Sequence, residues 1–336
     1  MSFKRFDQED ITISAESVVA PAWTGQVSTL TTFFTSSQAG STSGNYYYNV
    51  YQSDPLTVGS EVQFAVGFGN VNGSGSVPFT AGIPSKTPSS VVYGQYRTLV
   101  NGDEDTNFTF GEKTPNSVYI IAVNRSRYKE KLLPGSFDIK LTGGRTLELI
   151  DNSSTLTTLS YVDSGRIYDI VSGSIINGVS TPATVSQTFT DASGSFGKFL
   201  PDVGLIVLNA NAIKDATFGA GITLSETNGT DGLNNRKIFD AIDAGASFTL
   251  RSEETVTSNY VFVRVRNSEY NYSTNPSNIT GSGELRHTIM VNTPQSYITT
   301  VGLYNDNNDL LGVAKLSRPL LKDFTKEALV RIKLDY

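Results

Sequence analysis

Apolar residues alternate with small or polar ones along much of this sequence. In EVQFAVGFGNV, Glu61 to Val71, the residues Val62, Phe64, Val66 and Phe68 stand two apart. A period of two places them on one face of a β-strand. The last stretch, ALVRIKLDY, repeats the pattern with Val330, Ile332, Leu334 and Tyr336. Between these lie shorter runs rich in Val, Ile, Thr, Tyr and Phe, each bounded by Gly, Asn, Asp or Pro. They are VSTLTTFF from Val27, YYYNVYQSD from Tyr46, VVYGQYRTLV from Val91, NFTFGE from Asn107 and SVYIIAVNR from Ser117. RIYDIVSGSII from Arg166, ATVSQTFTDA from Ala183, YVFVRVRN from Tyr260, VNTPQSYITTVGLY from Val291 and LLGVAKL from Leu310 continue the series. FDIKLTG and RTLELID predict a hairpin around Gly143 and Gly144. Strand patterns at this spacing, punctuated by turn residues, point to sandwiches or barrels.

Helical periodicity is sparse. NNRKIFDAIDAG, 234–245, carries Ile238, Phe239 and Ile242 on one side and ends on Gly245, a natural stop. NANAIKDA, 209–216, is a shorter candidate. RSRYKEKLLPG, 125–135, is the densest run of charge and reads as a solvated turn or loop. No repeat of 20–50 residues and no heptad pattern occurs, which argues against a solenoid or a long fibre shaft.

The expected fold is therefore mainly β: one or two antiparallel β-sandwich-like domains with a small α-containing middle insertion. Residues 1–20 form an N-terminal arm, 21–150 a β domain, 151–255 the β/α insertion, and 256–336 the C-terminal strands. The strong strand signal at both ends leads us to expect 260–336 to pair with N-terminal strands of the 21–150 domain rather than stand alone.

Composition narrows the function. Only 17% of the 336 residues are charged, and Ser, Thr, Asn and Gly take the place of the missing charge. Aromatics at 10% separate the chain from disordered sequences. Lys and Arg are scattered and the net charge is −6, which disfavours nucleic-acid binding through phosphates. No window approaches 18 apolar residues, so no membrane span is expected. MSFKRFDQEDITIS lacks the apolar core of a signal peptide. With no cysteine there is neither a disulfide framework nor a thiolate metal site, which favours folding in a reducing cytoplasm. Sequons such as NFT at Asn107 and NYS at Asn271 then read as Asn-rich loops.

Candidate chemistry is thin. NDNND, 305–309, supplies oxygen ligands at Asn305, Asn307 and Asp309. Leu310 stands where a calcium loop needs glycine, and Leu316 where it needs glutamate. Flanked by strands, these residues predict a hairpin turn. ASGSFGKF, 192–199, has Ala192 for the first glycine of a phosphate loop and Phe199 for its hydroxyl. GFGNVNG, 67–73, lacks dinucleotide spacing. The single histidine, His287, meets no nucleophile elbow and cannot build a histidine zinc site. Glu253-Glu254 and Asp103-Glu104-Asp105 are sequence neighbours with nothing to nominate them as a glycosidase pair. We expect no cofactor, no metal and no catalysis.

Interface residues are better represented. Tyr46, Tyr47, Tyr48 and Tyr51 crowd one strand, and tyrosine offers large contact area at small entropic cost. Tyr46 and Tyr48 should face one way, Tyr47 and Asn49 the other. Phe3 and Phe6 sit on the otherwise polar arm and suit packing on a neighbour. The turn residues Asn305, Asp306 and Asp309 form a loop tip that can touch another subunit.

A resemblance gives these candidates a context. YVFVRVRNSEYNYSTNPSNITGSGELR, from Tyr260, and PQSYITTVGLYNDNNDLLGVAKLSRPLLKDFTKEALVRIKLDY, from Pro294, are similar to a family of virion structural proteins of contractile-tailed (myovirus) phages, especially those of marine bacteria and cyanobacteria. SVYIIAVNRSRYKEKLLPGSFDIKL, from Ser117, and FKRFDQEDITIS, from Phe3, resemble the same family. The resemblance covers both ends and part of the first half; residues 150–250 match less well. ITTVGLYNDNNDLLGVAKLSRP also resembles short strand–turn–strand modules of phage baseplate and tail-fibre-attachment proteins. It implies a structural subunit of the tail, foremost of the baseplate, assembled in the host cytoplasm into the virion. Its partners would be other tail subunits and copies of itself. Competing expectations are a receptor-binding module gripping host glycans through Tyr46–Tyr51, and a neck, collar or head-decoration protein. The resemblance transfers no catalytic residues.

Overall fold

The computed structural model describes residues 4–36, 46–77, 87–183, 195–227 and 229–335. The chain is mainly β, 43% strand against 15% helix, with large antiparallel sheets. It divides into two units, Val18–Glu254 and Met1–Ser17 with Thr255–Tyr336.

The strands are β1 (Ile11–Pro21), β2 (Thr29–Leu30), β3 (Tyr47–Tyr51), β4 (Val62–Asn70), β5 (Ser117–Val123), β6 (Lys131–Leu132), β7 (Asp138–Thr142), β8 (Thr146–Asp151) and β9 (Ser160–Val162). They continue as β10 (Gly165–Ile176), β11 (Val179–Pro182), β12 (Gly197–Leu200), β13 (Leu205–Asn209), β14 (Phe248–Thr249), β15 (Arg251–Val265), β16 (Gln295–Tyr304), β17 (Leu310–Asp323) and β18 (Ala328–Asp335). The helices are α1 (Pro88–Asn101), α2 (Ala210–Lys214), α3 (Asn234–Gly245) and α4 (Ile289–Asn292).

One large sheet builds the Val18–Glu254 unit, in the order β2-β14-β7-β8-β10-β12-β13-β5-β4-β3. Its two ends meet. Thr29 and Leu30 pair with β14, and four residues on Phe34 exchanges both backbone hydrogen bonds with Tyr51 of β3, at 2.9 and 2.8 Å. The segment 29–34 thus joins the first strand to the last, and the sheet wraps around one core with an irregular seam. Trp23, Phe64, Phe137, Phe199 and Phe248 fill that core; the Trp23 and Phe248 rings lie 5.0 Å apart and Phe64 and Phe248 5.2 Å. The Trp23 indole N–H is not left unpaired, as it donates to the Phe248 carbonyl at 3.0 Å. α3 turns Ile238, Phe239 and Ile242 into the same core and packs against β7, β4 and β3, strands far apart in the sheet order.

A second apolar cluster lies on the outer side of the sheet. SVYIIAV and LIVLN read as unbroken apolar runs because both faces of β5 and β13 are covered. Tyr119, Ile121, Ile206 and Leu208 point inward; Val118, Ile120, Leu205 and Val207 join Tyr93, Phe108 and Phe110 outside. α1 lies against the outer face of β4, where Gly67 and Gly69 leave room for it.

Several expectations are corrected. VVYGQYRTLV is not a strand but most of α1, opened by Pro88 and closed by Gly102 at φ 74°, whose N–H donates to the Thr98 carbonyl at 3.0 Å. NFTFGE pairs only through a Phe110–Lys113 bridge, and VSTLTTFF contributes β2 and two isolated bridges, Val27 to Trp23 and Phe34 to Tyr51. No boundary falls at 150/151: β10 pairs with β8, and β13 pairs with β5, so the middle segment completes the sheet of the first. The C-terminal strands do find an N-terminal partner, but it is β1, expected to be an arm, in the order β1-β15-β18. Among the described residues, β15 meets the strands of the 21–150 segment only at β6, which pairs Lys131 and Leu132 with Glu253 and Ser252. The hairpins β7–β8 and β16–β17 and the helix α3 match their expected positions. The strand expected at ATVSQTFTDA lies, beyond Ala183, outside the described residues.

Candidate interaction surface

The unit formed by Met1–Ser17 and Thr255–Tyr336 is built of a three-stranded sheet and a hairpin. β15 and β18 are antiparallel, with Val261 opposite Ile332 and Val263 opposite Val330. Val261, Val330 and Ile332 are buried there. Val301 and Leu303 of β16 and Ala314 and Leu316 of β17 pack onto them from the hairpin. That alternation explains the sequence: every second residue of VGL and VAKL turns inward. The inner side holds three buried side chains, far fewer than the core of the larger unit.

The outward side of the hairpin is apolar as well. Val313 is 61% exposed and Leu311 71%, and Leu310 and Tyr304 are exposed beside them; Tyr297, also exposed, lies at the other end of the hairpin, opposite Leu321. Val313 stands opposite Gly302. The Tyr304 ring lies over Gly302, 2.9 Å from where a Cβ would be, so Tyr304, Val313 and Leu310 gather near the tip. β16 and β17 pair only with each other among the described residues, so neither outer edge has a strand partner there. An isolated hairpin of this kind is marginal in water.

Residues 305–309 are the tip. Asn305 Oδ1 accepts hydrogen bonds from the backbone N–H of Asn307 at 3.0 Å and of Asp309 at 2.8 Å. Its Nδ2 donates to Asp309 Oδ2 at 3.0 Å, and Asn308 takes φ 65°. Asn305 and Asp309 are thus engaged in their own turn, while Asp306 faces solvent. A second polar feature holds the base of the hairpin. Lys322 is completely buried and donates to the Asn267 carbonyl at 3.0 Å, Asn271 Oδ1 at 2.7 Å and the Asp323 carbonyl at 2.8 Å. Three acceptors around one ammonium offset its desolvation. Sequence reasoning missed this lysine, because LLKDF gives no sign that its cation turns inward.

The other sequence candidates belong to other elements. Tyr48 is a core residue of the larger unit, stacked on Phe239 at 5.6 Å, and so is withdrawn as an interface residue. Tyr47 alternates outward and is 49% exposed; Tyr46 and Tyr51 are half-buried. Phe6 is exposed, and Phe3 lies outside the described residues.

Other polar sites serve the fold. An open hollow of about 440 Å³ is lined by Leu133, Val179, Arg251 and several serines. Ser136, Ser154 and Ser180 donate to the carbonyls of Leu133, Ser180 and Asp151. Beneath it the buried Asp151 carboxylate accepts from the N–H of Gly135 at 2.8 Å and of Ser153 at 3.0 Å, tying a turn to a strand. Burial pushes its carboxyl up, while those hydrogen bonds pull the other way. Asp138 is held at about 6 by burial and then by the neighbouring Glu148 charge, and its Oδ1 has no hydrogen-bond partner. Among the described residues no three His, Cys, Asp or Glu side chains gather as a metal site, and no helix is long and apolar enough to cross a membrane.

Comparison with known proteins adds no constraint. No protein family, curated protein or solved structure matches this chain. Function is therefore read from the surface itself.

Proposed function

We propose that the chain is a structural subunit of a contractile phage tail, a baseplate component of the virion that works through protein–protein interfaces. The observation that carries this reading is the outward apolar face of the β16–β17 hairpin near its tip, with Tyr304, Leu310 and Val313 gathered there and Leu311 exposed beside them, on two strands that pair only with each other among the described residues. Contiguous exposed apolar groups of this kind are stabilised when a neighbour covers them. The same segment resembles strand–turn–strand modules of baseplate proteins, which supports the tail as the place of that neighbour. On this reading the partners are other tail subunits and further copies of the chain, with no nucleic acid, membrane or cofactor involved. Assembly takes place in the host cytoplasm.

The test is position. An image reconstruction of purified virions, with this chain fitted to the density, is expected to place it in the baseplate with the hairpin against another subunit. A position in the neck, collar or head, or a hairpin left bare in the assembled particle, would overturn the proposal. Leu311→Ser with Val313→Ser should leave the isolated protein folded and lower its incorporation into particles.

A further inference from the structure

The two edges of the three-stranded sheet are held in different ways. β18 turns Val330 and Ile332 into the apolar cluster. β1 adds nothing to any of the three clusters, and residues 11–19 are exposed on both faces of the strand. Ile13 is 68% exposed, and Ile11, Val18 and Val19 are exposed with it. Side-chain contacts near this edge include two ion pairs at the surface, Glu16 of β1 with Lys333 of β18 at 3.7 Å and, beyond the strand ends, Lys4 with Glu269 at 3.3 Å. Such pairs add little, being open to water and salt. What holds β1 is mainly the backbone ladder to β15, and a ladder does not distinguish one copy of a chain from another.

We infer that β1 is an exchangeable strand, and that in an assembly the β1 of one copy pairs with β15 of a second copy. Charge suits that occupant as well as it suits the copy's own strand. Residues 4–17 carry two basic and four acidic side chains, and residues 255–336 carry nine basic and seven acidic, so strand and platform are −2 and +2. This complementarity is equal within a copy and between copies. The unit as a whole is neutral, and the net charge of −6 lies entirely in Val18–Glu254. Two copies that meet through their smaller units bring together neutral, apolar surfaces. Exchange of an identical element is a low-cost route to association, because every hydrogen bond broken within one copy forms again between two. A strand with no buried side chain belongs to the least protected parts of a fold.

Strand exchange would give that subunit a self-contact separate from the hairpin face, and it rests on reading the chain as an assembly subunit. Its test uses isolated protein, so failure leaves the virion position open. Equal amounts of ¹⁵N-labelled and unlabelled full chain are mixed, concentrated and separated by size. A zero-length carbodiimide then links Lys4 to Glu269 and Lys333 to Glu16. In the associated fraction roughly half of these linked peptides should join labelled to unlabelled chain, and in the monomer none. A fluorescent peptide of residues 4–21 gives a second readout, expected to be taken up by the full chain at a saturable level. An associated fraction with only single-label links, a chain monomeric at every concentration, or no peptide uptake would overturn the inference.

Discussion

The approach of α1 to β4 is closest at Gly69. A methyl group added there would stand 2.9 Å from the Tyr93 backbone nitrogen, 3.0 Å from its Cα and 3.2 Å from its Cβ. Favourable carbon contacts begin near 3.5 Å, so Gly69→Ala forces a shift of about 0.5 Å. The obstacles are helix backbone and the root of a buried side chain, and neither can rotate away. Moving the helix also loosens Tyr93, whose ring packs edge-on to Phe108 at 5.2 Å and whose hydroxyl accepts from the Phe108 N–H at 3.2 Å. Overpacking of this kind costs about 1–3 kcal/mol. In a domain of this size each kcal/mol lowers Tm by about 2–4 °C, so a fall of roughly 2–12 °C is expected. Gly67→Ala is the internal control. It lies two residues earlier on the same face, and its methyl would meet Val92 Cγ1 at 3.8 Å, an ordinary contact. Losing a strand glycine there should be neutral or stabilising by up to about 1 kcal/mol. Thermal and urea melts of the two variants give the comparison. Equal stability of the two, or a Gly69→Ala protein as stable as the parent, would refute the close approach as a constraint.

Buried groups yield three further outcomes. The folded state holds the Asp138 proton more tightly than the unfolded chain, with pKa about 6 against an ordinary value near 4. Stability should therefore fall as pH rises from about 4 to about 6, and Asp138→Asn should raise Tm at pH 7 but not at pH 4. The reverse order in a pH series of melts would contradict the burial of that carboxyl. Tyr48→Ala should cost about 3–5 kcal/mol and Tyr47→Ala under about 0.5 in denaturant titrations, because adjacent tyrosines face core and solvent. Lys322→Met strands three carbonyl acceptors and should cost about 3 kcal/mol. Hydrogen exchange should then speed up in β16 and β17, and unchanged exchange would show that the buried ammonium is dispensable.

Local patterns carried the strands and failed where packing decided. The β7–β8 hairpin, α3 and the 305–309 turn were legible because their signals are local: alternation, helical spacing ending on Gly245 just before the left-handed cap at Ala246, turn-forming Asn and Asp. α1 was misread because Val91, Val92, Tyr93 and Tyr96 are good strand formers. Its helical spacing of Val92, Tyr93, Tyr96 and Val100 was present, and so were Pro88 and Gly102 at its ends. The joining of residues 151–254 to the first half could not be read, since the β5–β13 pairing is a contact between distant segments. The candidate surface was half legible. The turn was placed correctly, while the exposed side of the hairpin looks in sequence like any buried strand, and Lys322 looks like any surface lysine.

The division of the chain has a consequence for the order of synthesis. The smaller unit takes its first strand from before residue 18 and all the rest from after residue 254. A ribosome therefore releases β1 long before its partner β15 exists, with the whole wrapped sheet to be made in between. Domains generally fold as units during synthesis, from the N-terminal side. β1 must wait through that interval as a strand without a ladder. Its Thr12, Ser14 and Glu16, set between the isoleucines and alanine, are what keep such a waiting segment in solution. The polar side chains that add nothing to the buried clusters of the finished protein are thus the ones that let β1 wait until β15 arrives.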